Sequence, residues 1–188
     1  KQALAAFGQP LLVRQYIEDF SKHGISVGQV LLTRSDMNDR KRFLNAKHTL
    51  MALCDLDVVP IVNENDTVAV EEIQFGDNDE LSALVAHLVD ADLLVILSHV
   101  DGVFDGNPSK DSNCKLIPLV EDVKNVQDYI FEDQNSRSRG GMVTKLRAAE
   151  SCMEYGIPVL ITNGLQDDIF QNMLNGKEIK GTYFSPSQ

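Results

Sequence analysis

Apolar positions along this chain alternate between a helical and an extended rhythm. Leu4, Phe7, Leu11, Leu12, Ile17 and Phe20 recur at roughly helical spacing, which predicts an amphipathic helix from Ala3 to Phe20, closed by Gly24. Ile25 to Thr33 (ISVGQVLLT) is a short run rich in branched residues, of the length of a buried strand. Helical spacing returns from Arg40 to Leu56, and Val58, Val59, Ile61 and Val62 make a second strand. A helix from Leu81 to Val89 leads into a third strand, Leu93 to Leu97 (LLVIL). The last pair is a helix from Met142 to Tyr155, ended by Gly156, and a fourth strand, Ile157 to Thr162 (IPVLIT).

Buried strands separated by helices predict an α/β fold with a mostly parallel sheet, because parallel neighbours need crossover connections that are usually helical. In such sheets ligands bind at the carboxyl ends of the strands. The loops after Val62, Leu97 and Thr162 are therefore where chemistry is sought. No repeat, low-complexity tract or linker breaks the chain, and the polar stretch from Asp105 to Cys114 is too short to be a domain.

Composition narrows the function classes. The 188 residues carry 17 Lys+Arg against 28 Asp+Glu, a net charge of −11, which opposes a partner bound through its phosphate backbone and argues against nucleic acid. No apolar run approaches the ~20 residues that a bilayer span needs, so no membrane role is expected. Cys54, Cys114 and Cys152 are odd in number and form no CxxC pair, which fits a reducing cytoplasm better than a disulfide framework or a zinc site. Lys1 to Gly8 carry no export signal and look like the middle of an element. His23, His48 and His87 sit singly in helices without a ligand partner at i+4, so no metal-ligating residue is expected.

Two polar clusters flank the connection after the second strand, Asn63 to Asp66 (NEND) and Gly76 to Asp79 (GDND). One reading is conformational: Asn and Asp favour turns and caps, with Asp79 capping the helix that starts at Leu81. The other is recognition of a small zwitterion, because carboxamide and carboxylate pairs suit an amino-acid head group. A third segment, Gly140 to Lys145 (GGMVTK), follows Ser136 to Arg139 (SRSR) and opens a helix. Paired glycines at a helix start free backbone amides for an anion, with Thr144 and Lys145 beside them. The alternative is a plain glycine turn with a solvated lysine. Neither GxxxxGK[ST] nor GxGxxG occurs, which excludes an ordinary P-loop or dinucleotide site.

These segments carry a resemblance. NENDTVAVEEIQFGDNDELSALVA (Asn63 to Ala86), VDGVFD (Val100 to Asp105), GGMVTKLRAA (Gly140 to Ala149), NG (Asn163 to Gly164) and GT-F (Gly181 to Phe184) resemble, in order, the glutamate 5-kinase branch of the amino-acid kinase family. The resemblance implies a three-layer α/β/α sandwich around a mostly parallel sheet. It also implies phosphoryl transfer from ATP, with Mg²⁺, to the side-chain carboxylate of L-glutamate, the first step of proline synthesis. Proline as feedback inhibitor and a homo-oligomer, dimer or tetramer, are implied with it.

Position by position, the resemblance makes Asp66 and Asn78, with Asn63 and Asp77, the glutamate-binding residues. Asp79 is the carboxylate that orients the catalytic lysines, and Lys145 steadies the moving phosphoryl group. Ser98, His99, Arg139, Gly140, Gly141, Met142, Val143, Thr144 and Lys145 fall on the nucleotide side. Such a transfer draws its rate from positioning and from cations on the transferring group. Glu71 and Glu72 fall near the family's subunit contacts.

The family's first phosphate-gripping lysine, its glycine loop and its Ser-Gly element would lie upstream of Lys1. Residues 1–188 are thus expected to be one amino-acid kinase domain, partial at its amino terminus, without the RNA-modification-type domain many members append, and inactive alone. His99 replaces an acid, and Ser-Arg replaces the more usual Gly-Thr before Gly140. The competing readings are an acetylglutamate, aspartate or carbamate kinase, or a non-catalytic module that binds proline or glutamate.

Overall fold

The computed structural model describes residues 1–69, 77–106, 111, 113–129 and 141–186. The chain divides into two compact units, Lys1–Leu84 and Val85–Gln188.

In the first unit, α1 (Gln2–Ser21) precedes β1 (Ser26–Leu32), a short α2 (Arg34–Asn38), α3 (Arg40–Asp55) and β2 (Val58–Glu64). β1 and β2 are parallel, in register from Ser26 opposite Val58 to Leu32 opposite Glu64, with α2 and α3 in the crossover between them. Leu32, Ala46, Leu50 and Leu81 are buried. α4 (Asn78–Leu88) begins in this unit.

The second unit holds β3 (Leu94–Ser98), β4 (Leu119–Val120), a 3₁₀ turn (Val123–Tyr129), α5 (Met142–Glu154), β5 (Val159–Asn163), α6 (Ile169–Leu174) and β6 (Gly181–Phe184). The strand order is β3-β5-β6-β4, with β3 and β5 parallel, β4 and β6 parallel, and β5 antiparallel to β6. Leu146, Ala149 and Cys152, on one stripe of α5, are buried with Val159, Ile161 and Phe184. Burial pushes the Cys152 thiol up to about 11, so it is an inert packing residue.

The α/β class and the dominance of parallel pairing hold. Several boundaries move. α4 starts at Asn78, three residues before Leu81, because the Asp77 carboxylate accepts from the Glu80 N–H at 3.0 Å and nucleates the first turn. Asp79 is thus inside the helix, and the cap is Asp77. β2 runs on to Glu64 and takes Asn63 into the strand. β5 starts at Val159, since Pro158 has no N–H for the ladder, although its carbonyl still accepts from Leu94.

Candidate functional site

The polar residues at the end of β2 and just after it are held by side-chain and backbone hydrogen bonds. Asn63 Oδ1 accepts from the Glu64 N–H at 2.9 Å, and the Asn65 N–H reaches across to the Leu32 carbonyl at 2.8 Å. The Asn65 carbonyl then accepts from Val68 and Ala69, closing a turn in which Asp66 is half-buried. Asn63 and Asn78 meet at a cavity of about 100 Å³ whose lining includes Gln9, Tyr16, Gln29 and Ile61. Gln29 donates to Gln9 Oε1 at 3.3 Å.

Of the residues expected to bind glutamate, Asn63 and Asn78 line this cavity. Asp77 caps α4 with Oδ1, while its buried Oδ2 has no hydrogen-bond partner among the described residues. An unpaired buried carboxylate oxygen is costly, and a ligand ammonium or hydroxyl would relieve it. Asp66, Asp77 and Asp79 do not line the cavity. Gln9 and Gln29 have no local sequence signal, because α1 and β1 bring them together only in the fold.

In the second unit, Ser98 ends β3 opposite Asn163, and its carbonyl accepts from the Gly164 N–H at 2.8 Å. The Ser98 hydroxyl is buried without a partner among the described residues, and His99 is exposed. Gly141 is the extended N-cap of α5 (φ −87°, ψ −176°), with no side-chain cap. The Thr144 hydroxyl donates back to the Gly141 carbonyl at 2.8 Å. Met142 and Val143 are half-buried, and Lys145 is only 9% exposed. The solvated-lysine alternative is therefore overturned. Arg139 and Gly140, with Ser136 to Ser138, Gly76, Glu71 and Glu72, lie outside the described residues.

The VDG, NG and GT elements, which carried no assigned chemistry, converge on one brace. Asp101 accepts from Asn163 Nδ2 at 3.0 Å and pairs with Lys180 Nζ at 2.5 Å. Lys180, then Asn163, hold its carboxyl below the ordinary range. Gly102 has φ +150°, and a Cβ there would stand 2.5 Å from Thr182 Oγ1. The Thr182 hydroxyl accepts from the Val103 N–H at 2.8 Å and donates to the Ile117 carbonyl at 2.7 Å. These residues fix the strand ends beside Ser98.

A sequence model of the amino acid kinase family matches residues 1–163, and the chain belongs to that family. More particularly, it is similar to glutamate 5-kinases. It is 51% identical to that of Moorella thermoacetica and 48% to that of Geobacter metallireducens, each over 100% of this chain and 50% of the relative. To that of Thermus thermophilus it is 50% identical, over 98% of this chain and 49% of the relative. The chain thus spans about half the length of the curated relatives it matches. Among solved structures, an isopentenyl phosphate kinase substrate complex aligns with TM-score 0.63 at 17% identity, over 94% of this chain and 67% of the other. The UMP kinase of Bacillus anthracis aligns with TM-score 0.58 at 16% identity, over 90% and 62%. At these identities the likeness is one of fold. Among the described residues no helix is long and apolar enough to cross a membrane.

Proposed function

We propose that this protein transfers the γ-phosphoryl group of ATP to the side-chain carboxylate of L-glutamate, giving glutamyl 5-phosphate for proline synthesis. The observation that carries this reading is 51% identity over the whole chain to a protein named glutamate 5-kinase. That Asn63 and Asn78, two of the residues expected to bind glutamate, line one cavity supports it.

In this reading Asn63, Asp66, Asp77 and Asn78 bind glutamate. Asp66 and the unpartnered Asp77 oxygen would accept from its ammonium, and the carboxamides would donate to its carboxylate. Ser98, His99, Arg139 and the Gly140–Lys145 segment bind ATP, the α5 amides taking phosphate oxygens. Lys145 offsets the charge that develops on the transferring group, and Asp79 orients the lysine. Among the described residues no three His, Cys, Asp or Glu side chains stand together to cage a metal. In this reading Mg²⁺ enters on the nucleotide's phosphates as part of the substrate. The same reading makes proline a feedback ligand, the active protein a homo-oligomer, and the cytoplasm its location.

The test measures ADP release and hydroxamate formation by the protein with its native flanking sequence, given ATP, Mg²⁺ and single acceptors. Glutamate should support turnover, and Lys145→Ala should lower kcat about 10²–10³-fold while moving the glutamate KM much less. Turnover with aspartate, acetylglutamate or carbamate in its place, or a kcat within a few-fold of wild type in Lys145→Ala, would overturn the assignment.

A further inference from the structure

Asn78 and Asp79 occupy the first turn of α4, so whatever holds that turn against the β1–β2 pair also sets the acceptor geometry. One such contact is an ion pair between the Arg34 guanidinium and the Glu80 carboxylate, each side chain 40% exposed. Both ends are built to stay in place. Thr33, directly after β1, caps α2: its N–H donates to Asp36 Oδ2 at 2.7 Å, and its hydroxyl accepts from the Asp36 N–H at 3.4 Å. Arg34 is the first residue of α2, beside the point where the Asn65 N–H meets the Leu32 carbonyl. At the other end, the Glu80 N–H donates to the Asp77 cap, so Glu80 is rigidly part of the turn that carries Asn78 and Asp79.

We propose that Arg34 is a positioning residue for the phosphoryl acceptor, holding the first turn of α4 through Glu80 and so setting Asn78 and Asp79 against the carboxyl ends of β1 and β2. The kinetic part of this inference rests on the glutamate kinase reading. An arginine suits the task because its planar fork can grip a carboxylate with a defined orientation, which a lysine cannot. A half-exposed pair adds little to global stability, so its loss should loosen the turn without unfolding the unit. Function is more sensitive, since misplacement by about 1 Å can cost around 10²-fold.

The experiment uses the protein with its native flanking sequence and the variants Arg34→Met, Arg34→Lys, Glu80→Gln, Arg34→Glu, Glu80→Arg and the Arg34→Glu/Glu80→Arg exchange. Arg34→Met and Glu80→Gln should each raise the glutamate KM about tenfold or more, with the ATP KM within about threefold and the thermal midpoint nearly unchanged. Arg34→Lys should fall between. The charge exchange should return the KM to within a few-fold of wild type, where either reversal alone should not. Amide hydrogen exchange at Leu81–Leu84 should quicken in Arg34→Met and recover in the exchange variant, a readout that needs no substrate. Unmoved exchange and KM in the single variants, or no recovery in the double, would overturn the proposal. Wild-type turnover with another acceptor would instead overturn the glutamate reading, and hydrogen exchange would still decide the role of Arg34.

Discussion

Strands in the two units are built to different depths. β5 is buried at four of its five positions, and Ile161, Thr182 and Phe184 have no exposure at all. Every residue of β2 is only half-buried, and α1 contributes no buried residue, with Phe7 at 74% and Leu11 at 55% exposure. Both strands read as equally apolar in the sequence. An apolar run thus encodes strand formation, whereas the depth of cover depends on what packs against it. The motifs differ as well. In Val85–Gln188 the VDG, NG and GT elements lock strand ends through the Asp101 and Thr182 contacts, whereas in Lys1–Leu84 the described parts of NEND and GDND make turn and cap hydrogen bonds that leave the buried Asp77 Oδ2 without a partner among the described residues.

The sharpest way to break this contrast is truncation. Phe184→Ala should destabilise the Val85–Gln188 unit by about 3–5 kcal/mol, while Leu11→Ala in α1 should change stability by no more than about 0.5 kcal/mol. Urea unfolding of both variants checks this, and similar losses would erase the distinction between the units. Next in size, Asn78→Ala and Asp66→Ala should weaken glutamate about ten- to a hundredfold, for roughly 1–3 kcal/mol per unpaired partner, with ATP affinity nearly intact. Calorimetry with each ligand separates the two. Equal losses would mean that the polar clusters are not a distinct acceptor site.

The smallest effect is a pH dependence confined to the second unit. The His87 ring stacks on Tyr155 with centroids 4.0 Å apart, and its buried Nε2 has no partner among the described residues. Burial holds its pKa below the ordinary value, against a hydrogen bond to the Ser151 backbone. The unfolded chain therefore binds the proton more readily. This contribution is complete above about pH 6.5 and declines as pH falls through that value toward the folded pKa. His87→Phe keeps the stack and removes the titration, so its urea midpoint should fall less between pH 8 and pH 5.5. Parallel declines in both proteins would remove His87 as the cause.

The long elements were legible because each repeats its signal: α1, α3 and α5 show helical spacing over three turns or more, and β1, β2, β3 and β5 are dense in branched residues. Gly181–Phe184 and Leu119–Val120 are too short to show a period, and the antiparallel placement of β6 between β5 and β4 depends on partners distant in sequence. At the candidate site, the clusters themselves flagged Asn63 and Asn78. Asp77 and Asp79 are equally good caps by composition, and only the start of α4 chooses between them. Gln9, Gln29 and Arg34 were silent because nothing local marks a residue whose partner is brought by folding.

The Thr182 hydroxyl also sets a timetable. It joins the backbone of Val103, 79 residues away, to that of Ile117, 65 residues away, so neither loop can settle until β6 has docked. Contacts of such long sequence separation close late, because the entropy of the intervening loop is lost before the contact offsets it. On a ribosome this brace cannot form until Thr182 has emerged, so the loops at Val103 and Ile117 wait for β6. A φ-value near zero at Thr182 is the kinetic signature of that order.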